Sequence, residues 1–64
     1  MPAMTVDGNS VEVEHDPVRG TVSIQHPTVN GGEWLEERSS ETANIKTRHD
    51  LYVVVRRMLR AHRT

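Results

Sequence analysis

Cysteine and phenylalanine are both absent from the 64 residues, and tryptophan and tyrosine occur once each. Without cysteine the chain has no disulfide, no thiolate nucleophile and no zinc centre that needs sulfur, and its redox compartment stays open. Long apolar runs are also missing. The longest, Leu51 to Val55, falls far short of the roughly 20 residues that a membrane span requires. The start, Met1-Pro2-Ala3-Met4-Thr5-Val6-Asp7, has neither a basic segment nor an apolar stretch behind it, so no secretory signal is expected and a cytoplasmic location is. Lysine is scarce as well, once at Lys46 against seven arginines.

What remains for a core is mostly nine valines, three leucines and two isoleucines. A chain of this length buries only about 60% of the surface its unfolded form exposes, which argues against a large enclosed active site. Such small domains are usually stapled by a disulfide, a metal or a partner chain, and the first is excluded here.

The formal net charge of −1 conceals a strong asymmetry. In residues 1–41 eight acids (Asp7, Glu12, Glu14, Asp16, Glu33, Glu36, Glu37, Glu41) face Arg19 and Arg38. In residues 42–64 the six bases Lys46, Arg48, Arg56, Arg57, Arg60 and Arg63 face only Asp50. This implies either an electrostatic partner for one half or two halves that neutralise each other. The sequence pI of about 6.4 favours self-neutralisation over a typical nucleic-acid-binding domain.

Residues 1–9 are small and polar without an apolar period, and are expected to form a disordered arm. From Ser10 the pattern alternates: Val11 and Val13 oppose Glu12 and Glu14, and Val22 and Ile24 oppose Thr21, Ser23 and Gln25. That period, with turn chemistry in Asp16-Pro17-Val18-Arg19-Gly20, predicts a β-hairpin over about 10–26, ended by Pro27. Asn30-Gly31-Gly32-Glu33 has the spacing of a helix start, and predicts a short helical turn near 31–38 closed by Ser39-Ser40. Residues 39–44 read equally as a loop or as the beginning of the last helix.

The last element has the clearest signal. Thr47 and Asp50 stand at capping-box spacing, and Leu51, Val54, Val55, Met58, Leu59 and His62 follow at helical intervals, predicting an amphipathic helix over about 47–62. The run of valines supports a competing strand over 51–55, but the helical period continues past it through Arg63. The fold class is therefore α+β, with residues 10–64 as a single small domain.

Two surfaces of that helix are candidates for function. Its apolar stripe (Leu51, Val54, Val55, Met58, Leu59) needs a cover: the hairpin with Trp34 and Leu35 beside it, a second copy, or a groove on a larger partner, and Trp34 is a candidate anchor of such an interface. Its opposite arc carries Arg56, Arg57, Arg60 and Arg63, a face suited to phosphates. No zinc-finger, homeodomain or basic-zipper pattern accompanies that face. Binding of the helix to a membrane surface is disfavoured by an apolar stripe that has no Trp or Phe. His15, His26, His49 and His62 form no metal-ligand spacing, although His15 and His26 would face each other if the hairpin paired them. No nucleophile elbow or phosphate loop is present, so no enzyme activity, cofactor, metal or small-molecule substrate is expected. The expectation is a non-enzymatic protein that interacts or regulates through its last helix, as a homodimer or on a larger partner. The alternative is a small nucleic-acid-binding regulator that uses the arginine face.

Overall fold

The alternation seen in the sequence extends further than one hairpin. The computed structural model, which describes residues 3–63, contains a four-stranded antiparallel sheet in the order β1-β2-β3-β4. Its strands are β1 (Ala3–Val6), β2 (Asn9–Asp16), β3 (Thr21–Gln25) and β4 (Leu35–Arg38). Two helices follow, α1 (Ser40–Ala43) and α2 (Arg48–Ala61). The architecture is α+β, as the patterning implied.

The N-terminal residues are a correction. Ala3 to Val6 pair with β2 in the register Met4↔Val11 and Val6↔Asn9, and Met4 and Val6 are buried. An arm is therefore not what residues 3–9 form, and the same expectation for Met1 and Pro2 lies outside the described residues. The joint is Asp7-Gly8, with φ of 50° and 81°, the doubly left-handed geometry that suits two-residue hairpin turns.

The hairpin of β2 and β3 is present, with Val13↔Ile24 and His15↔Val22 as partners. Its turn is held by Asp16, whose Oδ1 accepts from Val18 N at 3.0 Å and Arg19 N at 3.1 Å. Gly20, at φ 69°, ends the turn in a conformation that disfavours a Cβ, and an added one would come within 3.4 Å of the Ala43 side chain.

The predicted helix over 31–38 is not formed. Asn30, Gly31 and Gly32 all take positive φ (52°, 64° and 85°), which a right-handed helix cannot continue. They build one tight turn over Asn30–Gly32, after which Leu35 to Arg38 run extended beside β3. Pairing with a neighbouring strand has overridden a local helical spacing.

Both helices open on capping boxes. In α1 Ser39 Oγ accepts from Thr42 N, and Ser39 N donates to Thr42 Oγ1. The Thr42 hydroxyl, buried, donates to Gly20 O at 2.6 Å and so ties α1 to the β2–β3 turn. In α2 Thr47 Oγ1 accepts from Asp50 N, while Asp50 Oδ2 accepts from Lys46 N at 3.0 Å and Thr47 N at 3.1 Å. The bonds from Lys46 N and Thr47 N hold the Asp50 carboxyl below its ordinary value of 3.8.

α2 packs against β1 and β3. Val54, Val55, Met58 and Leu59 meet Met4, Val6, Val11, Val13, Val22 and Ile24 in one core, and Val29 closes its end. Leu35, Ile45, Leu51 and Tyr52 border it. Among the described residues no helix packs on the opposite face of the sheet.

Two expectations follow. Val6→Asp places an unpaired charge in the core and should abolish cooperative urea unfolding, whereas a disordered arm would tolerate it. The lowered Asp50 carboxyl stabilises the fold above its ordinary value and loses that contribution as pH falls from 3.8 through the lower folded value. Thermal midpoints of the wild type should accordingly fall across that window, and Asp50→Asn should show a lower midpoint at neutral pH with a shallower fall on acidification.

Candidate functional site

Of the residues assigned to a partner or dimer interface, Val54, Val55, Met58 and Leu59 are buried within the chain itself, and Leu51 is half-buried beside them. The apolar stripe is thus covered by its own sheet. The physical reason is area: β1 and β4 widen the inner face beyond the single hairpin anticipated, adding Met4, Val6 and Leu35.

The arginine face is likewise engaged. Arg57 donates through both terminal nitrogens to the two oxygens of Glu37, and through Nε to Glu41 Oε1 at 2.7 Å. These hydrogen bonds hold its guanidinium well above the usual range. On the other side, Arg56 Nε lies 3.5 Å from Asp7 Oδ1 and Arg60 Nη2 lies 3.4 Å from Asp7 Oδ2. The Arg56 contact is an ion pair without hydrogen-bond alignment. Arg63 sits at the end of α2 in a bridge with Val29. The charge asymmetry of the chain is therefore resolved internally for Arg56, Arg57 and Arg60. Between the two flanks Val53, 47% exposed, lines a shallow depression with Ala61 and the three arginine stems.

The histidines do not converge. His15 is the cross-strand partner of Val22, not of His26. His26 lies past the end of β3, where its Nδ1 accepts from Thr28 N at 3.2 Å. His49 stacks on Tyr52 with ring centroids 6.4 Å apart, and His62 caps α2. Among the described residues no group of three or more His, Asp or Glu side chains is placed to hold a metal ion.

What the sequence did not single out is the uncovered face of the sheet. Strand alternation turns Glu12, Glu14 and Asp16 of β2 to this side, opposite Val11, Val13 and His15. Cross-strand pairing then sets them in rows: Glu14, Ser23 and Glu36 in one, Asp16, Thr21 and Arg38 in the next, and Ala3, Glu12 and Gln25 in a third. A shallow hollow lined by Glu14, Asp16, Arg19, Ser23 and Glu36 lies under the β2–β3 turn. Arg19 reaches Glu36 at 3.5 Å. Glu12 Oε2 is out of contact with water and has no hydrogen-bond partner.

Strand alternation assigns Trp34 to this face. It precedes Leu35, whose side chain packs on the core, and it is itself 44% exposed. Leu35 pairs with Ile24, and continuing that antiparallel register one residue beyond the strand sets Trp34 beside Gln25, at the end of the Glu12 row. Two bonds hold the segment: Gln25 Nε2 donates to Gly32 O at 3.0 Å, and Asn30 Nδ2 donates to Trp34 O at 3.2 Å. Of the residues expected at an interface (Leu51, Val54, Val55, Met58, Leu59 and Trp34), Trp34 alone is exposed.

The chain matches no family model, no curated protein and no solved structure. No helix among the described residues is long and apolar enough to cross a membrane.

If Arg57 fastens α2 to β4 and α1, Arg57→Met should lower stability by about 1 kcal/mol at low salt, and Arg63→Met should change little. Urea midpoints of the two variants at low and high salt check this, the difference between them shrinking as salt rises.

Proposed function

We propose that the protein is a non-enzymatic interaction module that recognises a protein partner through the helix-free face of its sheet, with Trp34 as the anchor. The observation that carries this reading is the exposure of the chain's one tryptophan, 44%, at a position that alternation from Leu35 assigns to that face. Leaving an indole half in water forgoes burial energy that a thin core would otherwise gain, and tryptophan is the residue type most enriched where interfaces concentrate their binding energy. The surrounding polar side chains resemble the rim of such an interface. The helix contributes by shaping the molecule rather than by presenting its apolar stripe.

The nucleic-acid reading draws less support, because a phosphate backbone would have to displace Asp7, Glu37 and Glu41 from the arginines they engage.

The test is affinity capture from extracts of the cells that make the protein, using the wild type, Trp34→Ala and the pair Arg56→Glu with Arg60→Glu. Proteins held by the wild type and the arginine variant but lost with Trp34→Ala are the expected result, with unchanged circular dichroism. Retention indifferent to Trp34, or co-purifying nucleic acid that depends on Arg56 and Arg60, would overturn the proposal. Light scattering on the same variants identifies the partner as a second copy if the mass doubles in a Trp34-dependent way.

A further inference from the structure

The helix-free face has a chemistry that narrows the partner, and the inference here rests on the interaction reading above. From charge and spacing we infer that the occupant is an extended, arginine- or lysine-bearing segment of a protein, laid along β2 with a cationic side chain over Trp34.

The first support is where charge is left after internal pairing. Asp7, Glu37 and Glu41 are engaged by the arginines of α2. None of the three lies among the outward residues of the sheet. The outward face keeps Glu12, Glu14, Asp16 and Glu36 against Arg19 and Arg38, and Arg19 is drawn to Glu36. It is the acidic side of the molecule, so it repels phosphate polymers and attracts cations.

Spacing is the second support. Glu12, Glu14 and Asp16 occupy alternate positions on one strand, so their Cα atoms recur about every 6.6 Å, with one Asp16 oxygen already held by Val18 N and Arg19 N. An extended segment presents its own alternate side chains at the same interval. A basic strand-like segment therefore meets the acids in register, while a helix, rising about 5.4 Å per turn, drifts out of step.

The third is the Glu12 row. Glu12 Oε2 is removed from water and accepts no hydrogen bond, so this row holds an acceptor that the fold leaves unmet. The continued register of β4 puts Trp34 in the same row two strand positions from Glu12, a spacing of about 10 Å in a sheet. A guanidinium stacked on the indole face gains cation–π attraction, and the next basic side chain of the segment then lies over β2. A second copy of this chain is a poorer fit, because the bases outside the ion pairs among the described residues are Arg38, single on the acidic face itself, and Lys46, Arg48 and Arg63, at the two ends of α2, and no two of them stand at alternate strand positions.

The experiment uses the full chain and a synthetic peptide with arginine at alternate positions separated by serine, with the glutamate version as control. Binding is read from Trp34 fluorescence and from amide shifts of the isotopically labelled protein. The arginine peptide is expected to shift residues of β2, β3 and Trp34, and Glu12→Gln with Glu14→Gln should weaken it about tenfold, close to 1.4 kcal/mol. Equal binding by that variant, shifts confined to α2, or no binding of the arginine peptide would overturn the inference. A Trp34-dependent partner captured from extracts that lacks a basic extended segment would overturn it too, while leaving the interaction reading in place.

Discussion

The seating of Val54, Val55, Met58 and Leu59 on the inner face of the sheet is the contact on which the other elements depend. A helix of 14 residues is marginal by itself in water, and strands of four to eight residues do not persist with their apolar face uncovered. Each layer is the other's solvent shield. Neither half of the sheet suffices alone, since β1 brings Met4 and Val6 and β4 brings Leu35, and the segment after β3 inserts Val29 at the end of the core. With no disulfide available, stability in this chain is therefore a matter of long-range assembly.

The ion pairs act on that assembly from its two edges. β1 and β4 are the edge strands, and α2 reaches toward both, through Arg56 and Arg60 to the turn after β1 and through Arg57 to β4 and α1. Each pair is partly solvated and adds little stability. Together they fix the roll of the helix: turning α2 by one residue, about 100°, would carry arginines toward the valines and strand the carboxylates. The opposed charges of the two halves of the chain thus encode an orientation, and α2 keeps few unengaged cations for an outside partner.

Much of this fold was legible in the residues, and the failures have identifiable causes. Thr47 and Asp50 with the stripe behind them specified α2 to within a residue at each end, because capping and periodicity are local and agree there. The hairpin of β2 and β3 was legible for the same reason. β1 was missed although Asp7-Gly8 is a strong hairpin dipeptide, since Met4 and Val6 alternate for too short a stretch to register as a strand. The helix expected over 31–38 failed where Asn30-Gly31-Gly32 served as a left-handed turn, and a glycine pair suits that use better than a helix start. The stripe of α2 was identified correctly as apolar, but what covers an apolar face is a tertiary fact.

The candidate surface shows the same limit more sharply. Alternation alone places Glu12 and Glu14 opposite Val11 and Val13, so half of the acidic face was in view from the start. Trp34 joins it only through the register of β4, with Leu35 opposite Ile24. Strand side chains alternate, so a slip of one residue would bury the indole and expose Leu35. That register is set outside the strand, by three successive left-handed residues and by the bonds from Gln25 to Gly32 O and from Asn30 to Trp34 O. The polar side chains of the loop therefore determine which face of the sheet carries its one large aromatic group, and with it where recognition can occur.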